Sequence, residues 1–89
     1  MAKLSLSMPV KLGDKVEITE LNFRDYSTAE DYLAFDKRGG VAQNIALIAS
    51  MSGTDEALIL KLAGKDYNRA LKIVDAVLMQ DKEEEFEKK

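Results

Sequence analysis

The sequence predicts an α+β fold, an N-terminal β-hairpin followed by a compact bundle of about four α-helices. Period-two alternation in the first eighteen residues, helical spacing from Ser27 onward, and glycine-centred breaks between the helical pieces all point to it. Leu4, Leu6, Met8, Val10 and Leu12 alternate with Ser5, Ser7, Pro9 and Lys11, as a strand with one buried face requires. Gly13-Asp14 turns the chain, the glycine supplying a positive φ, and Val16 and Ile18 resume the alternation. Pro9 places the first strand at an edge or with that position facing out. Leu21 and Phe23 fall on the opposite parity, so a bulge near Thr19 and Glu20 is expected to return them to the interior.

Ser27 and Thr28 open the first helix, with Glu30 and Asp31 completing a capping box in either register. Ala29, Tyr32 and Leu33 form its expected buried stripe, and Lys37 and Arg38 suit its carbonyl end before Gly39-Gly40 stops it. A second helix starts near Val41. Each residue turns a helix by about 100°, so Val41, Ile45, Ile48, Ala49 and Ser52 share a stripe while Leu47 and Met51 point away from it. Ser52-Gly53-Thr54 breaks this helix, Gly53 offering the left-handed cap and Thr54 the next N-cap. In the short third helix Leu58 and Leu62 stack, with Leu60 about 200° round from Leu58. Ala63-Gly64-Lys65 closes it. Asp66 is then expected to cap a fourth helix, in which Tyr67, Ala70, Leu71, Val74, Val77 and Leu78 keep the helical spacing. Residues 1–80 read as one domain and residues 81–89, DKEEEFEKK, as a charged C-terminal tail.

Eighty-nine residues suffice for one modest core and leave no room for a cleft between two domains. Hydrophobic residues make up 46% of the chain, dense enough in Leu, Ile and Val for folding rather than disorder. The net charge of -3 argues against nucleic acid as a partner, since phosphate binding relies on Lys and Arg. Cysteine and histidine are absent, which removes disulfides, thiol nucleophiles, the usual zinc ligands and the usual general base near neutral pH. The reading is therefore of no enzyme, no cofactor and no metal. The pairs Glu30-Asp31 and Asp55-Glu56 point about 100° apart in first turns, where helix capping explains them. The Ser and Thr hydroxyls have no histidine to activate them, and no Gly-rich loop leads into Lys-Ser or Lys-Thr. No stretch approaches the ~20 apolar residues that span a bilayer, and the first residues form no apolar signal core, so a cytoplasmic protein without membrane contact is expected.

Leu47, Met51, Leu60 and Met79 lie off the main stripes, and Phe86 falls one i+7 step beyond Met79. These are the candidate partner-binding residues. Central helices of a bundle are buried on two sides, so Leu47 and Leu60 serve either as interior or as contacts. Met79, with an adaptable side chain, and Phe86, an aromatic amid EEEFEKK, point more to partner contact. The alternative is a small helix-turn-helix DNA-binding regulator, built from the second helix, the Ser52-Gly53-Thr54 turn and the third helix. Its reading helix would open on Asp55 and Glu56 and carry Lys61 as its one cation, an arrangement that repels phosphate.

The strand pair ending in Thr19-Glu20-Leu21 is followed by Arg24, and Thr28-Ala29 with Asp31 opens a helix. Ala46-Leu47-Ile48-Ala49 leads to a Ser-Gly-Thr turn, and Leu62 precedes Asp66-Tyr67 at the step into the last helix. In this order, over about residues 4 to 79, the chain resembles the tail assembly chaperone family of contractile-tailed phages, Mu-like or P2-like. It departs from the family at Arg24-Asp25-Tyr26-Ser27, where the family often places a proline. The resemblance implies a binding protein of the host cytoplasm, absent from the mature virion, that keeps the long helical tape measure protein soluble and hands it to the tail tube protein. Several copies would coat one client, and the free protein would form a homo-oligomer through the same face. In such families a frameshifted longer form often carries the tube-recruiting part. A structural subunit retained in the finished particle is the third possibility.

Overall fold

The computed structural model describes residues 2–14, 16–36 and 39–87, and the side chains of all of these except Val16 and residues 83–87. Strands β1 (Ala2–Leu12) and β2 (Val16–Phe23) form an antiparallel hairpin, turned by Gly13 at φ 69. Four helices follow: α1 (Ala29–Tyr32), α2 (Val41–Ser52), α3 (Glu56–Ile59) and α4 (Gly64–Glu87). A 3-10 turn at Leu33–Asp36 extends α1. The expected end of the first helix at Lys37 and Arg38 lies outside the described residues.

In β2, Leu21 and Phe23 are buried and Ile18, on the other parity, is half-buried against the same core, so both parities turn inward as expected; Leu4 and Val10 are the buried residues of β1. The irregularity that permits this lies on the other strand. Leu4 pairs with Leu21 and Val10 with Ile18, so six steps along β1 match three along β2, and the break in register falls between Ser5 and Val10. Asp66 supplies the reason. Its carboxylate, fully buried, accepts hydrogen bonds from the backbone N–H groups of Ser7 (3.0 Å) and Met8 (3.4 Å) and from the Ser7 hydroxyl (3.0 Å). Strand donors that leave the ladder thus find an ionised acceptor instead of a second strand. Arg69 completes the knot, its guanidinium donating to Asp66 at 3.1 Å and to the Ser5 carbonyl at 3.2 Å. The same distortion leaves Met8 59% exposed, contrary to strict alternation. Because α4 already begins at Gly64, Asp66 sits inside its first turn and ties helix to strand rather than capping the helix.

Helix α2 is the centre of the molecule, in contact with β2, α1, the 3-10 turn, α3 and α4. Its C-terminus is where the sequence places it, with Gly53 in the left-handed region at φ 64 and its N–H donating to the Ser50 carbonyl. The next helix is capped by Asp55, which accepts from the Ala57 N–H at 2.9 Å, and not by Thr54. In α4, Ala70, Val74 and Val77 are buried and Tyr67, Leu71 and Leu78 half-buried, as the spacing requires. Ala70, Val74 and Val77 join Leu4, Leu21, Phe23, Ile48 and Ile59 in one continuous core, with Tyr67 and Leu78 packed against it.

Helix α1 inverts its expected face. Asp31 and Ala34 are buried, whereas Tyr32 and Leu33 are exposed and Ala29 faces solvent. Arg24, just past β2, donates to both oxygens of Asp31, at 2.8 and 3.1 Å, and to the carbonyls of Tyr26 and Ser50. The Ser50 hydroxyl and the Thr28 N–H also donate to that carboxylate, the latter being half of the expected capping box. With so many donors converging on Asp31, a one-turn helix must present it inward. Farther along, α4 continues past Gln80, and Asp81 accepts from the hydroxyls of Ser27 and Tyr32, fastening α4 to the start of α1.

Burial opposes the charge on Asp31 and Asp66, but the hydrogen bonds from Arg24, Ser50 and Thr28 to the first, and from Ser7, Met8 and Arg69 to the second, outweigh it. Both carboxyls are held below the ordinary value of 3.8. Asp81 is also lowered, chiefly by the bonds from Ser27 and Tyr32. The unfolded chain therefore takes up protons before the folded one as pH falls, so the stability these groups contribute is complete near neutrality and lost on acidification. Urea midpoints are expected to hold level down to about pH 5 and to fall below about pH 4. A midpoint unchanged at about pH 3 would contradict this.

Candidate partner-binding surface

The residues singled out by the helical wheels divide in two. Leu47 and Met51 are 3% and 1% exposed and belong to the core, so they form no outer face. The correction follows from the position of α2. Packed on by five other elements, it buries Ala46, Leu47, Ile48, Ala49 and Met51, almost the whole circumference of its C-terminal half. Leu60 and Met79 are 66% and 60% exposed, outside the core as the wheels had them. Phe86 lies in the stretch of α4 whose side chains are outside the described residues.

A groove the sequence did not disclose runs between α1 with its 3-10 extension and the C-terminal half of α2. It encloses about 340 Å³ and is lined by Glu30, Leu33, Ala34, Ala46, Ala49, Ser50, Thr54 and Glu56. Three alanines supply apolar surface in it while occupying little of its space. Leu33, 61% exposed, stands at its edge because Asp31 holds α1 in the inverted orientation. Phe35, on the same 3-10 turn, is exposed as well and stacks on Tyr32 with ring centroids 5.7 Å apart. The hydroxyls of the groove are already engaged, Ser50 donating to Asp31 and Thr54 to the Ser52 carbonyl. Its charged lining is acidic, Glu30 from α1 and Glu56 from α3. Neither Leu60 nor Met79 lines it.

The one available hint in the sequence was the run Tyr32-Leu33-Ala34-Phe35, four apolar or amphipathic residues that a single short turn cannot all hide. Nothing local indicated that Ala46 and Ala49 would be left under an open space, since alanine fits core and surface alike. As chemistry, the surface offers apolar contact rimmed by carboxylates. Among the described residues no three acidic side chains are gathered to hold a metal ion, and no helix is long and apolar enough to cross a membrane. Helix α3 is a single turn opening on Asp55 and Glu56, which gives the helix-turn-helix alternative no basic reading helix. Leu60→Ser and Met79→Ser are expected to change unfolding free energy by no more than about 0.5 kcal/mol, as exposed positions do. A urea titration showing a larger loss would place these side chains in the interior.

No curated protein and no solved structure matches the chain. A family model does: residues 3–79 match the one described as phage tail assembly chaperone proteins, E, or 41 or 14.

Proposed function

Because the chain belongs to that phage tail assembly chaperone family, we propose that it binds the tape measure protein, holds its apolar helices apart until they are needed, and releases them as the tail tube protein assembles. The observation that carries this reading is the set of large apolar side chains left outside a core that is otherwise continuous. Leu33, Phe35, Val41, Leu60 and Met79 are all exposed. A lone soluble monomer gains nothing from them, whereas a client with amphipathic helices can cover them in helix-against-groove fashion. Leu60, Met79 and Phe86 belong to this contact set, and Leu33 and Phe35 join it.

The acidic balance of the chain keeps a complex with an aggregation-prone client dispersed and its contacts reversible. The role is one of binding, without catalysis. It is carried out in the host cytoplasm, with several copies on one client and self-association of the free protein through the same apolar side chains. The tail tube protein is met directly or through a longer, frameshifted form.

Co-expression with the tape measure protein of the same phage is the decisive test. The client is expected to move from the pellet to the soluble fraction and to copurify with the chaperone. Unchanged solubility would overturn the reading. Detection of the protein in purified virions would favour a retained structural subunit instead.

A further inference from the structure

We propose that residues 27–36, which carry α1 and its 3-10 extension, form a lid that lifts from α2 as one unit while the rest of the fold stays closed. The opening belongs to the free protein and does not depend on a client. Within this segment Ala34 is the one apolar side chain that is buried, whereas Tyr32, Leu33 and Phe35 are exposed. Beneath it, the space of about 340 Å³ between Ala34, Ala46 and Ala49 leaves part of α2 without a packed neighbour. Lifting the segment therefore uncovers little packed apolar surface, and segments with few such contacts are the ones that open below the free energy of global unfolding.

Two polar latches hold the segment in their place. On the α2 side, Arg24 and Ser50 grip Asp31. Arg24 itself stays with α2, its backbone N–H donating to the Met51 carbonyl at 3.3 Å and its guanidinium to the Ser50 carbonyl at 3.1 Å. On the α4 side, Asp81 accepts from Ser27 and Tyr32, which stand before α1 and at its last residue. Water solvates both partners of a latch once they part, so opening it costs less than stranding one charged partner inside. At the downstream end Gly39 and Gly40 precede α2. Gly40, at φ 75 and with no atom within 4 Å of where a Cβ would lie, supplies the backbone freedom of a hinge.

Native-state hydrogen exchange of the full chain tests this. The Asp31 and Leu33 amides donate to carbonyls within the segment, and Val74 reports on the core. In the wild type, Asp31 and Leu33 are expected to share one protection factor, at least about tenfold below that of Val74. Ser27→Ala and Tyr32→Phe each remove one bond to Asp81, at opposite ends of α1. Each is expected to speed both lid amides by the same factor, about threefold or more, with Val74 unchanged. Asp81→Ala removes both bonds and should speed them at least about tenfold. If Asp81→Ala lacks the wild-type circular dichroism spectrum, the two single variants carry the test. Wild-type protection at Asp31 and Leu33 equal to that at Val74, acceleration of only the amide nearer each substitution, equal acceleration of Val74, or no acceleration would each overturn the proposal.

Discussion

Arg24→Ala is expected to destabilise the protein by about 3–5 kcal/mol, because it strands the charge of Asp31 in a site closed to water. Asp31 is fully buried, whereas the Arg24 side chain keeps 24% of its surface open, so the cost falls on the carboxylate left behind. Against a total stability of about 5–15 kcal/mol for a domain of this kind, such a loss leaves a substantial unfolded population. Arg24→Lys should recover only part of it, since an ammonium cannot fork across both carboxylate oxygens. Removing both partners in Arg24→Ala with Asp31→Ala should cost less than the two single losses added, which marks the pair as coupled. Urea denaturation of the four proteins gives the cycle. A loss under about 1 kcal/mol for Arg24→Ala would show that the ion pair does not hold α1 in place.

Asp66→Ala is expected to cost about 2–3 kcal/mol, the range for losing hydrogen bonds to an ionised acceptor and leaving their donors unsatisfied. The Ser7 and Met8 N–H groups have turned out of the strand ladder toward this one carboxylate, and Arg69 loses its partner with them. Both donors lie in an exposed part of β1, so water recovers some of the loss and keeps the figure below that for Arg24. Asp66→Asn retains one acceptor oxygen and should fall between. Amide exchange gives an independent reading, with Ser7 and Met8 expected to lose protection ahead of the Leu4 and Val10 region. Unaltered protection at Ser7 and Met8 in Asp66→Ala would contradict the assignment.

The hairpin, its glycine turn, the cap at Gly53 and the buried stripe of α4 were legible because each rests on local periodicity or on a backbone conformation that favours glycine. The parts that were not legible share a cause. A helical wheel assumes that apolar residues turn inward, and in α1 a buried carboxylate overrules it: Arg24 lies 7 residues before Asp31 but off the helix, and Ser50 lies 19 residues after it, so the wheel shows neither meeting it. The wheel fails differently in α2, where neighbours on nearly every side make Leu47 and Met51 as interior as Ile48. Of the candidate contacts, the exposure of Leu60 and Met79 was readable from their place off the apolar stripes. The groove was not, because its shape comes from what alanine lacks.

The three surplus residues of β1 carry a consequence for how the chain finds its native arrangement. A slide of either strand by a residue or two would carry Ser7 and Met8 away from Asp66, so hairpin alignment and helix attachment are selected in a single step. Misaligned hairpins are thus discarded by a helix whose Asp66 the ribosome adds 59 residues after Ser7, and the early part of the protein has to wait for the late part before it can lock.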